Sequence, residues 1–247
     1  MEFAFHPEFW LAVMQIIMID ILLGGDNAVV IALACRRLPP NQRTLGILWG
    51  TAGAIVLRVI LIFFALSLLS IPLLKLVGAF LLLWIGVKLL LPEEDDKHGE
   101  LKSSDRLWGA VKTVIIADFV MSLDNVIAIA GAAEGAGSGH QTLLVIFGLV
   151  VSIPIIVWGS QIVSRFMDRF PMVITLGGML LGWIAGGMAA SDPFIVRFAA
   201  DNFGITTTSR LFSYSTAMCG ALLVLMVGKL LIARAQGKDE DPPTQNN

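Results

Sequence analysis

Charged side chains are scarce in this chain, and their scarcity excludes the commonest class of protein. Only 15% of the 247 residues are charged, whereas 56% are hydrophobic. The mean hydropathy is +0.82. So little polar surface cannot cover a water-soluble domain of this length. The composition therefore predicts a polytopic membrane protein surrounded by membrane lipids.

Other absences narrow the functional classes. The net charge of −2 provides no basic surface for nucleic acid. The two cysteines, Cys35 and Cys219, have neither CxxC spacing nor a neighbouring histidine, which leaves a disulfide framework, a zinc site and a soft-metal site without support. No nucleophile, phosphate-binding loop or cofactor motif is recognisable, so we expect neither an enzyme nor a resident cofactor. The first residues lack the basic region of a cleavable signal peptide, so we expect the first helix to stay in the mature protein.

Seven apolar runs are long enough to cross a bilayer, whose hydrocarbon core of about 30 Å takes about 20 helical residues. They cover approximately residues 9–34, 44–68, 72–91, 107–133, 141–163, 170–190 and 211–233. We therefore predict one transmembrane domain over residues 1–236, with an acidic cytoplasmic loop at 92–106 and a disordered tail at 237–247. Lys and Arg are concentrated in the odd-numbered loops and the tail, which predicts an outside N-terminus and a cytoplasmic C-terminus.

An acidic motif occurs twice inside these apolar runs. DILLGGDN runs from Asp20 to Asn27, and DFVMSLDN runs from Asp118 to Asn125, 98 residues later. Further matches at offsets of 98 or 99 extend the likeness over about residues 9–91 and 107–190, which hold three helices each. An odd number of helices turns the second unit over in the membrane. The sequence thus predicts an all-α fold of two inverted three-helix repeats plus a seventh helix, with a functional site near the midplane.

Charged residues inside the spans require an explanation, because each Asp or Arg there costs about 3 kcal/mol. The residues concerned are Asp20, Asp26, Asp118, Asp124 and Arg58. Carboxylate and amide oxygens suit hard divalent cations such as Mg²⁺, Ca²⁺ or Mn²⁺, so the acids and the neighbouring asparagines predict a cation site. Protonation of the acids, or a shift of Arg58 towards them, would stabilise the site without metal and would couple transport to protons or to gating. The alternative is that Arg58 neutralises one acid while protonated or water-bridged acids only hold helices together.

Helix geometry adds a constraint on the first motif. On a straight helix Asp20 and Asn27 share a face, whereas Asp26 lies about 120° away from Asp20. Unwinding at Gly24–Gly25 would direct all three side chains at one ion, so we predict it there; Pro154 predicts a break or kink in the fifth helix. If the first helix is straight, the expected layers are Asp26, Asn27, Asp124 and Asn125 in one, and Asp20 and Asp118 in another.

The segments LLGGDNAVVIALA and SLDNVIAIAG, with Arg58 in the second helix, resemble the TerC family of integral membrane proteins, in particular its shorter YjbE-type members. The resemblance covers roughly residues 7–233. It implies a multi-pass protein of the bacterial cytoplasmic (inner) membrane linked to metal-ion homeostasis, with manganese efflux as its activity and a fold related to the LysE exporter superfamily. Carried over by position, the metal ligands are Asp20, Asp26, Asn27, Asp118, Asp124 and Asn125.

From the motifs and the resemblance together we expect a secondary transporter that exports Mn²⁺, with Arg58 as a charge-balancing or gating group. Rocking of one three-helix repeat against the other would give alternating access. Mg²⁺ and Ca²⁺ remain alternative substrates, and coupling to protons is one option for the driving force. Two alternatives from other classes are a non-transporting membrane subunit that senses metal or scaffolds partner proteins, and a proton or sodium channel.

Overall fold

Every described segment of regular structure is helical, which confirms the all-α prediction. A computed structural model of the chain describes residues 7–69, 71, 73–91, 103–134, 141–203 and 210–239. Within these residues lie eight helices: α1 (Pro7–Cys35), α2 (Pro40–Leu69), α3 (Leu74–Leu90), α4 (Ser103–Glu134), α5 (Gln141–Arg169), α6 (Met172–Ala190), α7 (Pro193–Phe203) and α8 (Arg210–Asp239). Residues 92–102, which form most of the predicted acidic loop, and residues 240–247 of the predicted tail lie outside the described residues.

The length and composition of the helices confirm a membrane protein. Four described helical segments are long and apolar enough to cross a bilayer: Pro40–Phe64, Ile146–Arg169, Met172–Ala190 and Arg210–Arg234. Large apolar side chains also face outward, among them Trp49, Phe80, Trp108 and Trp158, each at least 60% exposed. An apolar surface of this extent is unfavourable in water and favourable in lipid.

The predicted number of seven helices differs from the structure by one short helix. The additional helix, α7, has 11 residues and follows the sixth apolar run. At about 1.5 Å per residue it is roughly 16 Å long, about half the hydrocarbon thickness, so it does not span the membrane. The apolar runs did not indicate it because α7 mixes Arg197, Asp201 and Asn202 with its apolar residues. Seven membrane crossings stay a prediction.

The predicted unwinding at Gly24–Gly25 is wrong. Helix α1 continues through both glycines from Pro7 to Cys35. Helix α5 runs without a break through Pro154, where a kink stays a prediction. Two glycines weaken a helix by about 1 kcal/mol each relative to alanine. An unwound turn in the apolar layer would instead leave backbone N–H and C=O groups unpaired, at several kcal/mol each. The cost of those unpaired groups exceeds the cost of the two glycines, so the helix stays intact.

The described helices pack as two units, and contacts within each unit are more extensive than contacts between them. The acidic unit contains α1, α2, α4 and α5: α1 packs mainly on α5 and α4, and α2 packs mainly on α4. The glycine unit contains α3, α6 and α8, in which α6 packs on both of its partners. Each predicted repeat contributes helices to both units. The first repeat is therefore interleaved with the second, and the two do not lie side by side.

Glycines bring the backbones of α6 and α8 into contact. A methyl group on Gly220 of α8 would overlap the carbonyl oxygen of Gly182 in α6, and one on Gly186 would overlap the carbonyl oxygen of Thr216. Leu90 of α3 fills the space beside Gly178 and Gly228, where an added Cβ would lie 2.7 and 2.8 Å from its side-chain atoms. Small residues permit this close approach, which is a main source of helix association in lipid.

Candidate functional site

A buried ion pair forms the centre of the acidic unit. Nη2 of Arg58 in α2 donates a hydrogen bond of 2.7 Å to Oδ1 of Asp118 in α4. The two side chains are 2% and 6% exposed. Removing both charges from water is costly, and only close, well-oriented pairing offsets that cost. The structure thus pairs the arginine of the second span with the first aspartate of the second acidic motif.

Ser122 completes this cluster, one helical turn after Asp118. Its Oγ accepts a bond of 3.2 Å from Nε of Arg58 and donates one of 3.1 Å to Oδ2 of Asp118. The serine is fully buried. A hydroxyl has one proton and two lone pairs, so it satisfies both neighbours at once. The three side chains form a closed ring that joins α2 to α4.

The first acidic motif lies beside this ring. Asp26 of α1 is half-buried and interacts electrostatically with both Arg58 and Asp118. Oδ1 of Asp26 accepts a bond of 2.9 Å from the backbone N–H of Asn27. Asp26 of the first motif is thus within electrostatic range of Asp118 of the second, where α1 packs on α4.

Asn27 has a buried side-chain amide without a partner among the described residues. The side chain is 3% exposed, and neither Oδ1 nor Nδ2 has a hydrogen-bond partner among the described residues. An unpaired buried polar group costs about 1–3 kcal/mol. An amide oxygen in this position is a suitable ligand for a hard divalent cation, which would satisfy it.

Two of the six predicted ligands cannot be placed at side-chain level. The side chains of Asp20 and Asp124 lie outside the described residues, although α1 and α4 run through both positions. Asn125 is half-buried on α4. The described part of the chain contains no group of three His, Cys, Asp or Glu residues arranged to hold a metal ion. Among the described oxygens, those of Asp118 and Ser122 are in direct contact, and the carboxylate of Asp26 interacts with Asp118 electrostatically.

Ser122 and Asp192 are two of the buried polar residues to which the sequence-based prediction gave no role. Ser122 was visible only as the residue that replaces Gly24 in the second motif. Asp192, also fully buried, accepts bonds from the backbone N–H of Phe194 at 2.8 Å and of Leu76 at 3.1 Å. It therefore caps α7 and binds the first turn of α3. An aspartate directly before Pro193 is a recognisable start signal for a helix.

A second polar cluster lies where α1 ends and α2 begins. Nη1 of Arg43 pairs with Oδ2 of Asp168 in α5 at 2.6 Å, and its Nη2 donates to the carbonyl oxygen of Arg36 at 2.9 Å. Arg36 in turn donates to the carbonyl oxygen of Leu89, and Arg37 to that of Leu91, at the end of α3. These arginines satisfy carbonyl groups that a helix end leaves unpaired. A cavity of about 260 Å³ opens beside Arg36, Arg37 and Asp168.

Taken together, the fold and the site define a class: a helical integral membrane protein that holds acidic and basic groups in its interior. Residues 5–237 match the sequence profile of the integral membrane protein TerC family. The chain belongs to this family, which confirms the resemblance that was inferred from the acidic motifs.

Relatives of known sequence agree with this assignment. The uncharacterized membrane protein YjbE of Bacillus subtilis (strain 168) is 39% identical over 222 residues, which cover 90% of this chain and 99% of YjbE. The uncharacterized membrane protein YkoY of the same strain is 26% identical over 203 residues, covering 76% and 62% of the two chains. The UPF0053 inner membrane protein YoaE of Escherichia coli (strain K12) is 26% identical over 194 residues. The match covers 71% of this chain but 36% of YoaE. No solved structure matches the chain.

Proposed function

We propose that this protein is a secondary transporter that exports a divalent metal ion across the bacterial cytoplasmic membrane, with Mn²⁺ as the first candidate substrate. Because α1 is unbroken, the proposed ligands fall into two layers, with Asp26, Asn27, Asp124 and Asn125 in one and Asp20 and Asp118 in the other. The observation that carries the proposal is the buried amide of Asn27, which has no partner among the described residues and directly follows Asp26. Asp26 in turn is within electrostatic range of the Arg58–Asp118 pair. Oxygen donors of this kind are suited to hard divalent cations.

Charge balance supports a substrate cation. Arg58 already supplies one positive charge to the acids in its surroundings, and it is buried with them. Burying further carboxylates in a membrane is expensive unless a cation accompanies them. A divalent ion bound between α1 and α4 would provide that charge, and its departure would leave Arg58 as the counter-ion that keeps the empty site stable.

The packing supports two inverted repeats. In the predicted repeats α1 corresponds to α4, α2 to α5 and α3 to α6. By this correspondence the α1–α5 contact is equivalent to the α4–α2 contact, and both are among the most extensive in the described structure. The α1–α4, α2–α5 and α3–α6 contacts convert into themselves. Such a pattern is expected of two repeats related by a two-fold axis, and we propose that the site lies near that axis.

The interleaving of the repeats changes the expected motion. Whole repeats cannot rock past one another when α1 and α2 pack on helices of the other repeat. We propose that the acidic unit moves against the glycine unit, whose backbone contacts make it the rigid frame. The loop charges predict an outside N-terminus and a cytoplasmic C-terminus, and export is the direction that we propose for this orientation.

Metal flux in vesicles tests this function. Proteoliposomes that contain only this chain should take up Mn²⁺ down an imposed gradient, and Asp26→Ala or Asp124→Ala should lower the rate at least about tenfold. Asp105→Ala is the matched control, because Asp105 is exposed in the first turn of α4 and should leave the rate unchanged. If the wild-type chain transports no Mn²⁺, the transporter proposal is wrong, and a metal-sensing or scaffolding subunit becomes the better assignment. Repeating the assay with an imposed pH gradient tests proton coupling.

A further inference from the structure

The two acidic motifs have the same spacing, but the residues that pair with Asp118 in the second have no polar counterpart in the first. In the second motif both oxygens of Asp118 accept hydrogen bonds, Oδ1 from Arg58 and Oδ2 from Ser122. At the offset of 98 residues, the sequence has Gly24 where the second motif has Ser122, and Ile156 where the first repeat has Arg58. The two residues that bind Asp118 in the second motif are therefore replaced by residues without polar side chains at the equivalent positions of the first motif.

The bonding of Ser122 is unlike that of the other fully buried serines. Ser152 and Ser160 of α5 each donate to a carbonyl oxygen of their own helix, at Gly148 and Ile156. Such local bonds are the ordinary arrangement for a serine in a transmembrane helix. The hydroxyl of Ser122 instead lies between two charged side chains, one of them on another helix.

This position fixes the guanidinium of Arg58 at two points. Nη2 contacts Asp118 at 2.7 Å, and Nε contacts Ser122 at 3.2 Å. Because the guanidinium is planar and rigid, two such contacts determine its orientation as well as its distance. Without Ser122 the arginine keeps one of these two contacts.

We propose that Ser122 is a positioning residue that holds Arg58 on Asp118 and thereby weakens the competition of a divalent cation for that carboxylate. The inference rests on the proposed metal site. A metal ion and Arg58 compete for the same oxygens, so Asp118 becomes a full ligand only when Arg58 withdraws. The first motif, where Asn27 has no partner among the described residues, is the half that receives the ion first.

The expected result is unusual for the loss of a buried hydroxyl: metal should bind more tightly. For the full-length protein in nanodiscs, isothermal titration with Mn²⁺ should give a dissociation constant about tenfold lower for Ser122→Ala than for the wild type, the equivalent of one charge-assisted hydrogen bond. Ser160→Ala is the matched control, since Ser160 is equally buried but contacts no charge. Ser122→Thr retains the hydroxyl and should restore the wild-type affinity.

A double-mutant cycle provides the second measurement. Arg58→Lys removes the Nε donor that bonds to Ser122, so it should also tighten Mn²⁺ binding. Combining it with Ser122→Ala should change the affinity little beyond either single variant. Unchanged or weaker Mn²⁺ binding by Ser122→Ala, or fully additive effects in the cycle, would overturn the inference while leaving the transporter proposal in place. If the wild type does not bind Mn²⁺, it is the proposed function that fails.

Discussion

The acidic unit and the glycine unit use opposite means to hold helices together in lipid. In the acidic unit, α2 and α4 are joined through a ring of charged and polar side chains around Arg58. In the glycine unit, α6 and α8 touch through their backbones at Gly182, Gly186 and Gly220. Charged side chains can exchange one partner for another, whereas interlocked backbones cannot shift without separating. We therefore expect the acidic unit to exchange contacts during transport and the glycine unit to stay rigid.

The largest effect on stability is expected from leaving one charge of the buried pair alone. Arg58→Met should lower the free energy of unfolding by about 4 kcal/mol, because Asp118 then has no cationic partner in the ring. The double variant Arg58→Met/Asp118→Leu should recover to within about 1 kcal/mol of the wild type, since no unpaired charge remains. Denaturant titration of the purified protein in detergent measures both.

The double variant also separates stability from function. It should fold and yet transport no Mn²⁺, because a ligand and its counter-ion are both absent. If the double variant is as unstable as the single one, the ring is a structural element of the fold, and the acidic unit is no more adaptable than the glycine unit.

The next largest effect is expected in the glycine unit. Gly220→Ala places a methyl group against the carbonyl oxygen of Gly182 and forces α6 and α8 apart. The expected cost is about 3 kcal/mol, measured as lower thermal stability and a smaller monodisperse fraction in size-exclusion chromatography. Gly187→Ala is the control on α6, where nothing lies within 4 Å of the added Cβ. A wild-type melting temperature for Gly220→Ala would show that backbone contact is not what holds this unit.

The sequence predicted the long helices well because apolar run length and helix length are tied by the thickness of the bilayer. The run at 170–190 became α6, Met172–Ala190, and the run at 72–91 became α3, Leu74–Leu90. The short helix α7 lacks such a run. The break at Gly24–Gly25 was predicted from local propensity, and the hydrogen-bonding requirement of a backbone in lipid outweighs that propensity.

For the candidate site, the sequence supplied the residue types but not the pairs. Four intramembrane acids and one arginine predicted charge pairing, yet the choice of Asp118 for Arg58 depends on how α2 packs on α4. Ser122 and Asp192 were missed for the same reason. The carboxylate of Asp192 binds the N–H of Leu76, 116 residues away, which no local pattern indicates.

A smaller effect, of opposite sign, is expected at Asn27. Asn27→Leu replaces a buried amide that has no partner among the described residues with an apolar group of similar size. The free energy of unfolding should stay the same or rise by about 1 kcal/mol, while Mn²⁺ binding by titration calorimetry should be lost. A clear loss of stability would mean that the amide has a structural partner, and Asn27 would then no longer support the metal site.

The smallest effect is expected at the other ion pair of the acidic unit, Arg43–Asp168. Its contact distance of 2.6 Å is close to the 2.7 Å of Arg58–Asp118, but its side chains are 23% and 54% exposed. Water and salt screen such a pair, so Asp168→Asn should change the free energy of unfolding by less than about 1 kcal/mol, and the change should shrink further in 1 M salt, where screening acts within about 3 Å. Both pairs join an arginine to an aspartate at a similar distance, so the difference between Asp168→Asn and Asp118→Asn, which change the same partner in the same way, reports mainly the contribution of burial. Equal losses in the two variants would contradict the assignment of a special role to the buried ring.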